Sequence, residues 1–337
     1  MKLTRWKNNP IISPNPKNKW ESLVTTNPAA WYDESSGEVK LIYRAAGDDD
    51  EHYIYLGLAV SKNGYNFVRK GDKPLVSPVR DVNLGCLEDP RIVKMDGLYY
   101  ITFAFRPFAP GKYWIAGEKR KYNPPVFSAG FPRSFRENLS GTGLLISSDL
   151  KEFSYAGRLS DPAYDDRDVI IFPEKIKGKY VTLHRPMEWC GKDYGTDYPA
   201  MWIAFSDDLL AWKNLKLLAK GKHDWEQKIG GSTPPIKTEH GWLVLYHAVG
   251  EDKFYRVGAM LLDLENPLKI LHRSPDWIFQ PEEPYETKGF YNGVVFPCGN
   301  VVIDNKLFIY YGGADKYVCL ATCDLGELLD YLRSCPE

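Results

Sequence analysis

The chain has 337 residues, enough for two ordinary domains or one large all-β unit with a substantial buried core. Its 43 Lys and Arg against 44 Asp and Glu leave a formal charge of −1, so no global field draws nucleic acid or an anionic membrane, and any anion site must be local. Aromatic residues are abundant, with 10 Trp, 22 Tyr and 15 Phe, a composition that suits strands and sugar-stacking platforms alike.

The amino terminus has no apolar signal-like segment, and no later run approaches the roughly 18 uninterrupted apolar residues of a membrane span. The expectation is an unprocessed, cytoplasmic protein. Six scattered cysteines form no Cys-x-x-Cys pair and six histidines form no His-x-x-x-His, which points to reduced thiols, no metal and no cofactor.

In chain order, five apolar-aromatic runs stand out at 40–45, 99–106, 180–185, 242–247 and 307–312, spaced by roughly 60 to 80 positions. Each follows a second short run that begins at a turn, at 27–29, 89–93, 167–171, 232–236 and 293–296. Polar turns separate the two runs, Gly-containing in the first four units and Asp304-Asn305 in the last, so a hairpin signature repeats five times. A third run follows in every unit, at 54–60, 142–147, 200–205, 255–262 and 317–322. Three units then continue through a Ser/Asp-rich turn to an aromatic, at Phe67, Phe153 and Trp212. Four strands per unit and five units predict an all-β fold, a five-bladed β-propeller occupying the whole chain. Helix is expected only at the carboxyl end, from Leu325 to Leu332.

The second unit carries an insert at about 106–140, rich in Pro, aromatic and basic residues. It reads as an ordered but irregular loop, either a surface excursion or a wall of a binding site.

In a propeller the innermost strands start at one mouth of the central channel, so equivalent repeat positions converge. On this reasoning Asn27, Asp89, Arg167, Ser232 and Asn292 meet there, with Arg44, Arg185 and His247 at the ends of the second runs. Asp89 is the residue expected to do the chemistry, although an Asp-Pro step at a strand entrance is also a turn signal. Taken singly, the cations also read as structural: Arg167 as a salt bridge to Asp168, Arg185 as a loop brace, Lys228 as an exposed turn residue and His247 as a core histidine.

Six segments in order, Glu88-Asp89-Pro90-Arg91, 167–175, His184-Arg185-Pro186, Lys228-Ile229-Gly230-Gly231, 241–247 and Gly312-Gly313-Ala314-Asp315, resemble glycoside hydrolase family 130, the β-mannoside phosphorylases. That family is a five-bladed β-propeller. The resemblance implies that Asp89 is the general acid, that Arg167, Arg185, Lys228 and His247 bind inorganic phosphate, and that Asn27, Arg44 and Asp315 hold the mannosyl unit. Glu88, as likely structural as a substrate contact, and Tyr255 are added to the substrate-binding set. Two guanidinium groups and an ammonium suit an oxyanion, through charge-assisted hydrogen bonds. Phosphate then replaces the water and base carboxylate of an ordinary inverting glycosidase, whose two carboxylates stand about 6.5–9.5 Å apart. The implied reaction inverts a β-mannoside to α-mannose 1-phosphate, with the proton of Asp89 passing directly or through the mannosyl 3-hydroxyl. Inorganic phosphate is thus a co-substrate, the partners are small sugars, and a homo-oligomer stays open. The rivals are a β-1,2-mannosidase on the same fold, with Glu226 activating water, and a non-catalytic carbohydrate-binding propeller.

Overall fold

A computed structural model of the chain describes residues 1–115 and 117–335. Turn-separated apolar runs form five antiparallel sheets among the described residues, the blades of a propeller. Blade 1 pairs Val24–Asp33, Glu38–Ala46, Ile54–Ser61 and Val68–Arg69 in sequence order. Blade 2 repeats the pattern with Glu88–Met95, Leu98–Phe105, Gly141–Ser147 and Ser154–Arg158. Blade 3 is built from Ile170–Ile171, Tyr180–His184, Met201–Ser206 and Lys216–Ala219. Blade 4 uses Lys228–Gly231, Gly241–Val249, Tyr255–Leu262 and Ile270–Arg273. Blade 5 takes Val295–Ile303, Lys306–Gly313 and Tyr317–Asp324, and its outermost strand is Thr4–Arg5 from the other end of the chain, with Thr4 opposite Thr322. Strands from both ends of the chain therefore share one sheet, which closes the ring.

Hydrophobic burial is distributed over seams between blades. Ala29, Ile42 and Leu56 of blade 1 meet Ile92, Ile101 and Phe103 of blade 2, and Leu243 and Leu245 of blade 4 meet Val295 and Ile309 of blade 5. Because blades cover both faces of a central strand, Gly241–Val249 is buried at every position and reads in sequence as a continuous apolar run. The carboxyl-terminal helix, Leu325–Ser334, starts where Asp324 accepts the Glu327 N–H at 2.9 Å, and it buries Leu328, Leu329 and Leu332 against the seam of blades 4 and 5.

Three blades share a second device. A buried glutamate accepts from a tyrosine on the second strand and an arginine on the outermost strand: Glu21 from Tyr43 and Arg69, both at 2.9 Å, Glu226 from Tyr246 at 2.7 Å and Arg273 at 2.9 Å, and Glu286 from Tyr311 at 2.7 Å and Arg5 at 2.9 Å. Pairing and hydrogen bonding are what let these charges lie out of water. Glu226 is 1% exposed and belongs to this set, so the expectation that it could activate water is corrected: it is a structural carboxylate that ties blade 4 together.

Blade 4 departs from the sequence reading in one more respect. Its inner strand begins at Lys228, four residues before the expected start, because Pro234 and Pro235 interrupt the ladder and pairing resumes at Ile236–Thr238. Two one-turn helices, Arg133–Arg136 and Pro284–Thr287, were also not foreseen.

Candidate active site

One cavity of about 600 Å³ opens at the mouth of the propeller, and all ten residues expected at the site line it: Asn27, Arg44, Glu88, Asp89, Arg167, Arg185, Lys228, His247, Tyr255 and Asp315. Two further residues expected to converge do not. Ser232 lies behind the cavity, where its carbonyl accepts from Arg91, and Asn292 is exposed on the loop before blade 5. The shifted start of the blade 4 strand accounts for the first; Lys228 takes the place at the mouth.

Backbone irregularities aim two of the side chains. The strand register slips at Asn27-Pro28 opposite the second strand of blade 1 and at Asp89-Pro90 opposite that of blade 2. Asn27 and Asp89 both take a positive φ there, 45° and 50°. Proline cannot donate to a ladder, and a bulge re-aims the residue beside it, so both side chains turn off the sheet. Asp315 reaches the same place from a tight turn in which Ala314 and Asp315 have φ of 47° and 53°. Gly312 makes the approach possible, since a Cβ there would lie 1.8 Å from Oδ1 of Asn27.

These side chains form an interlocked acidic half. Asn27 Nδ2 donates to Asp89 Oδ1 at 2.7 Å and to Asp315 Oδ1 at 3.3 Å. Arg44 Nη1 lies 3.2 Å from both Asp89 Oδ1 and Glu88 Oε2. Burial pushes the Glu88 carboxyl up, but Arg44, Arg106 and Arg167 outweigh it and hold it at about 2. Asp315 goes the other way: burial raises it, the Asp89 and Glu88 charges add to that, and Arg44 offsets only part. For Asp89, both donors fall on Oδ1, and among the described residues Oδ2 accepts no protein hydrogen bond.

The opposite half is cationic. Arg167 grips Asp165 through Nε at 2.9 Å and through Nη2, and Asp165 outweighs burial in keeping the guanidinium charged. Arg185 is held by Asp168, which accepts its Nε at 2.7 Å and its Nη2. Asp168 is 1% exposed; burial opposes its charge, but Arg185, Arg91 and His247 hold it far below the usual carboxylate range. Lys228 donates to the Tyr255 hydroxyl at 2.8 Å, and burial with the Arg185 charge pulls the amine down to about 7. His247 is fully buried and, chiefly through burial, stays neutral, with both ring nitrogens lacking a partner among the described residues. Gly230 lets Arg185 and His247 come together, since a Cβ there would lie 2.6 Å from the His247 ring and 2.8 Å from Arg185 Cδ.

The family model for glycoside hydrolase family 130, described as beta-1,4-mannooligosaccharide phosphorylase, matches residues 3–127 and 144–334. The chain is 38% identical over 336 residues to a 1,2-beta-oligomannan phosphorylase of Thermoanaerobacter sp. (strain X514), covering 97% of this chain and 99% of that one. The chain belongs to glycoside hydrolase family 130. A beta-1,2-mannobiose phosphorylase of the same organism is 35% identical, with 96% and 97% of the two chains covered. Among solved structures, beta-1,2-mannobiose phosphorylase from Listeria innocua in complex with beta-1,2-mannobiose superposes with a TM-score of 0.78 at 27% identity, over 98% of this chain and 99% of that one.

In this family 130 chain the 106–140 insert proves to be a wall of the cavity, to which it contributes Pro110, Tyr113, Pro124, Glu137 and Asn138. Its Lys112 pairs with Asp48 at 2.7 Å, fastening it to blade 1. At the mouth Trp114 and Phe290 pack on His52, with the Trp114 ring 4.7 Å away edge-on. Burial and the Arg44 charge bring that histidine down to about 4. Sequence reasoning missed Arg91, Arg106 and Asp168 as parts of the site. Arg91 and Asp168 stood inside the recognised segments, but nothing in a linear motif says that they meet across blades. No helix among the described residues is long and apolar enough to cross a membrane.

Proposed function

We propose that the protein catalyses reversible, inverting phosphorolysis of β-1,2-linked mannosides, releasing α-mannose 1-phosphate and a shortened sugar. The observation that carries this reading is the cationic half of the cavity: Arg167, Arg185 and Lys228 line it with a buried, neutral His247, neither of whose ring nitrogens has a partner among the described residues. An unpaired buried donor costs about 1–3 kcal/mol, and a phosphate oxygen would satisfy it. Arg167 Nη1 likewise has no protein partner among the described residues.

Phosphate held there attacks the anomeric carbon from the face opposite the leaving sugar. The bond from C1 to the glycosidic oxygen breaks as the bond from C1 to a phosphate oxygen forms. Asp89 supplies a proton from Oδ2 to the leaving sugar and recovers one from hydrogen phosphate, so the overall reaction consumes no proton. Asn27, Arg44 and Asp315 hold the mannosyl hydroxyls, Glu88 keeps Arg44 in place, and Tyr255 orients Lys228. The family description names a β-1,4 linkage, whereas the two Thermoanaerobacter relatives, matched over nearly their whole length, are named for β-1,2. Identity to those two, 38% and 35%, exceeds the 26% to a beta-1,4-mannooligosaccharide phosphorylase matched over a similar length, which supports β-1,2.

The test is incubation with β-1,2-mannobiose, β-1,2-mannotriose and β-1,4-mannosyl-glucose, each with and without inorganic phosphate, followed by NMR. Phosphate-dependent α-mannose 1-phosphate from the β-1,2 sugars is the expected result. Mannose released without phosphate would mean hydrolysis and would overturn the reading.

A further inference from the structure

Beneath the cavity floor, the acidic and cationic halves are joined by one side chain. Arg91 is 2% exposed and uses three of its nitrogens on three blades. Nη1 donates to the main-chain carbonyl of Asp89 at 2.9 Å, Nε to the Ser232 carbonyl at 3.1 Å and Nη2 to Asp168 Oδ1 at 3.2 Å. The other oxygen of Asp168 takes Arg185 and lies 3.7 Å from His247 Nε2. A single guanidinium thus links the peptide carrying the acid to the carboxylate that holds Arg185 and stands near His247.

Comparison with blade 1 separates this link from the needs of the fold. The same bulge, with the same positive φ before a proline, forms at Asn27-Pro28, and there the residue in the place of Arg91 is Ala29, packed in the seam. The bulge therefore forms without an arginine. A left-handed backbone at a non-glycine residue is strained by about 1–3 kcal/mol and persists only where its surroundings hold it. At Asn27 the side chain is pinned by Thr26 Oγ1 at 2.9 Å. At Asp89 the carboxylate is held at Oδ1 alone, by Asn27 and Arg44, and the strained peptide itself is held from below, where Arg91 grips the carbonyl.

We infer that Arg91, acting with Asp168, is a positioning residue that keeps the Asp89 carboxyl in register with the phosphate-binding group. This rests on the reading of Asp89 as the general acid. Misplacement of a reacting group by about 1 Å is enough for a 10²-fold loss, which sets the scale of the effect.

The experiment is a double-mutant cycle on kcat with Asp89→Asn and Arg91→Lys, a substitution that retains the charge but not the three-way fork. Arg91→Lys is expected to lower kcat by about 10- to 100-fold alone and by less than about twofold in the Asp89→Asn background, because it acts through the acid. Equal losses in both backgrounds, or no loss alone, would overturn the inference. If Arg91→Lys does not fold, Arg91→Gln, which also breaks the three-way fork, enters the same cycle with the same criterion, and Asp168→Asn, which also releases Arg185, serves only as the phosphate-binding control. Phosphate affinity, measured by calorimetry on these variants, is expected to fall with Asp168→Asn and to hold within about threefold with Arg91→Lys. An Asp89→Asn variant that retains kcat within about tenfold would instead defeat the acid assignment itself, a different failure from additivity.

Discussion

The two halves of the cavity solve the same problem in opposite ways. In the acidic half, the groups that face the sugar are one another's partners: Arg44 and Asn27 bind Asp89, Glu88 and Asp315 directly. In the cationic half, the partners stand behind, with Asp165 under Arg167 and Asp168 under Arg185. The first half pairs its charges internally and leaves only single atoms open among the described residues, Arg44 Nε and Asp89 Oδ2. The second leaves both ring nitrogens of His247, one donor and one acceptor, unpaired among the described residues.

The difference can be broken most forcefully at Asp89. Asp89→Asn keeps the hydrogen bonds on Oδ1 but removes the proton, and kcat is expected to fall by about 10²–10⁴-fold in both directions, with sugar binding retained, as steady-state kinetics and calorimetry would report. A comparable loss should appear in stability, not chemistry, outside the cavity. Glu226→Gln strands the Arg273 charge in the blade 4 network and is expected to destabilise by about 3–5 kcal/mol, measured by denaturant unfolding, while activity per folded molecule stays unchanged. Activity lost in the folded fraction would return Glu226 to the catalytic account.

Ligand stabilisation sharpens the contrast between halves. Inorganic phosphate alone, at a hundredfold excess over its Kd, should stabilise the protein by about 2.7 kcal/mol, and Arg185→Met should abolish the effect in a thermal melt. The smallest expected effect is in the pH profile. The Lys228 amine is held down at about 7, so it is charged below that pH and loses its proton above it. Phosphate favours the charged amine, so binding above pH 7 requires proton uptake, and affinity should fall by about tenfold per pH unit there. Lys228→Met should flatten that limb; a wild-type profile already flat from pH 7 to 8 would refute the assignment.

The repeated architecture was legible in the chain because most of each blade is local, a turn-separated set of strands close in sequence to their partners; the 106–140 insert and the amino-terminal strand of blade 5 are the exceptions. The carboxyl-terminal helix was legible for the same reason, through its amphipathic pattern from Leu325 to Leu332. Seven of the ten expected site residues stand in the family's ordered segments, with Asn27, Arg44 and Tyr255 outside them, and all ten line one cavity. What misled the reading was also local in cause. Counting repeats from Ser232 overlooked the two prolines that break the blade 4 strand, and a lone glutamate near Lys228 looked catalytic when Tyr246 and Arg273 were out of view.

By itself, then, the sequence determined the number of blades, their strand order and the charge types available at the mouth, since these depend on short-range pattern and chemistry. Ring closure decided the rest. Arg91 and Asp168 are 77 positions apart and Arg91 and Ser232 are 141 apart, and no periodicity encodes which side chain of one blade will lie beneath the cavity of the next. Only the packed seams bring Asp89, Arg91 and the cationic cluster around Asp168 together beneath one cavity.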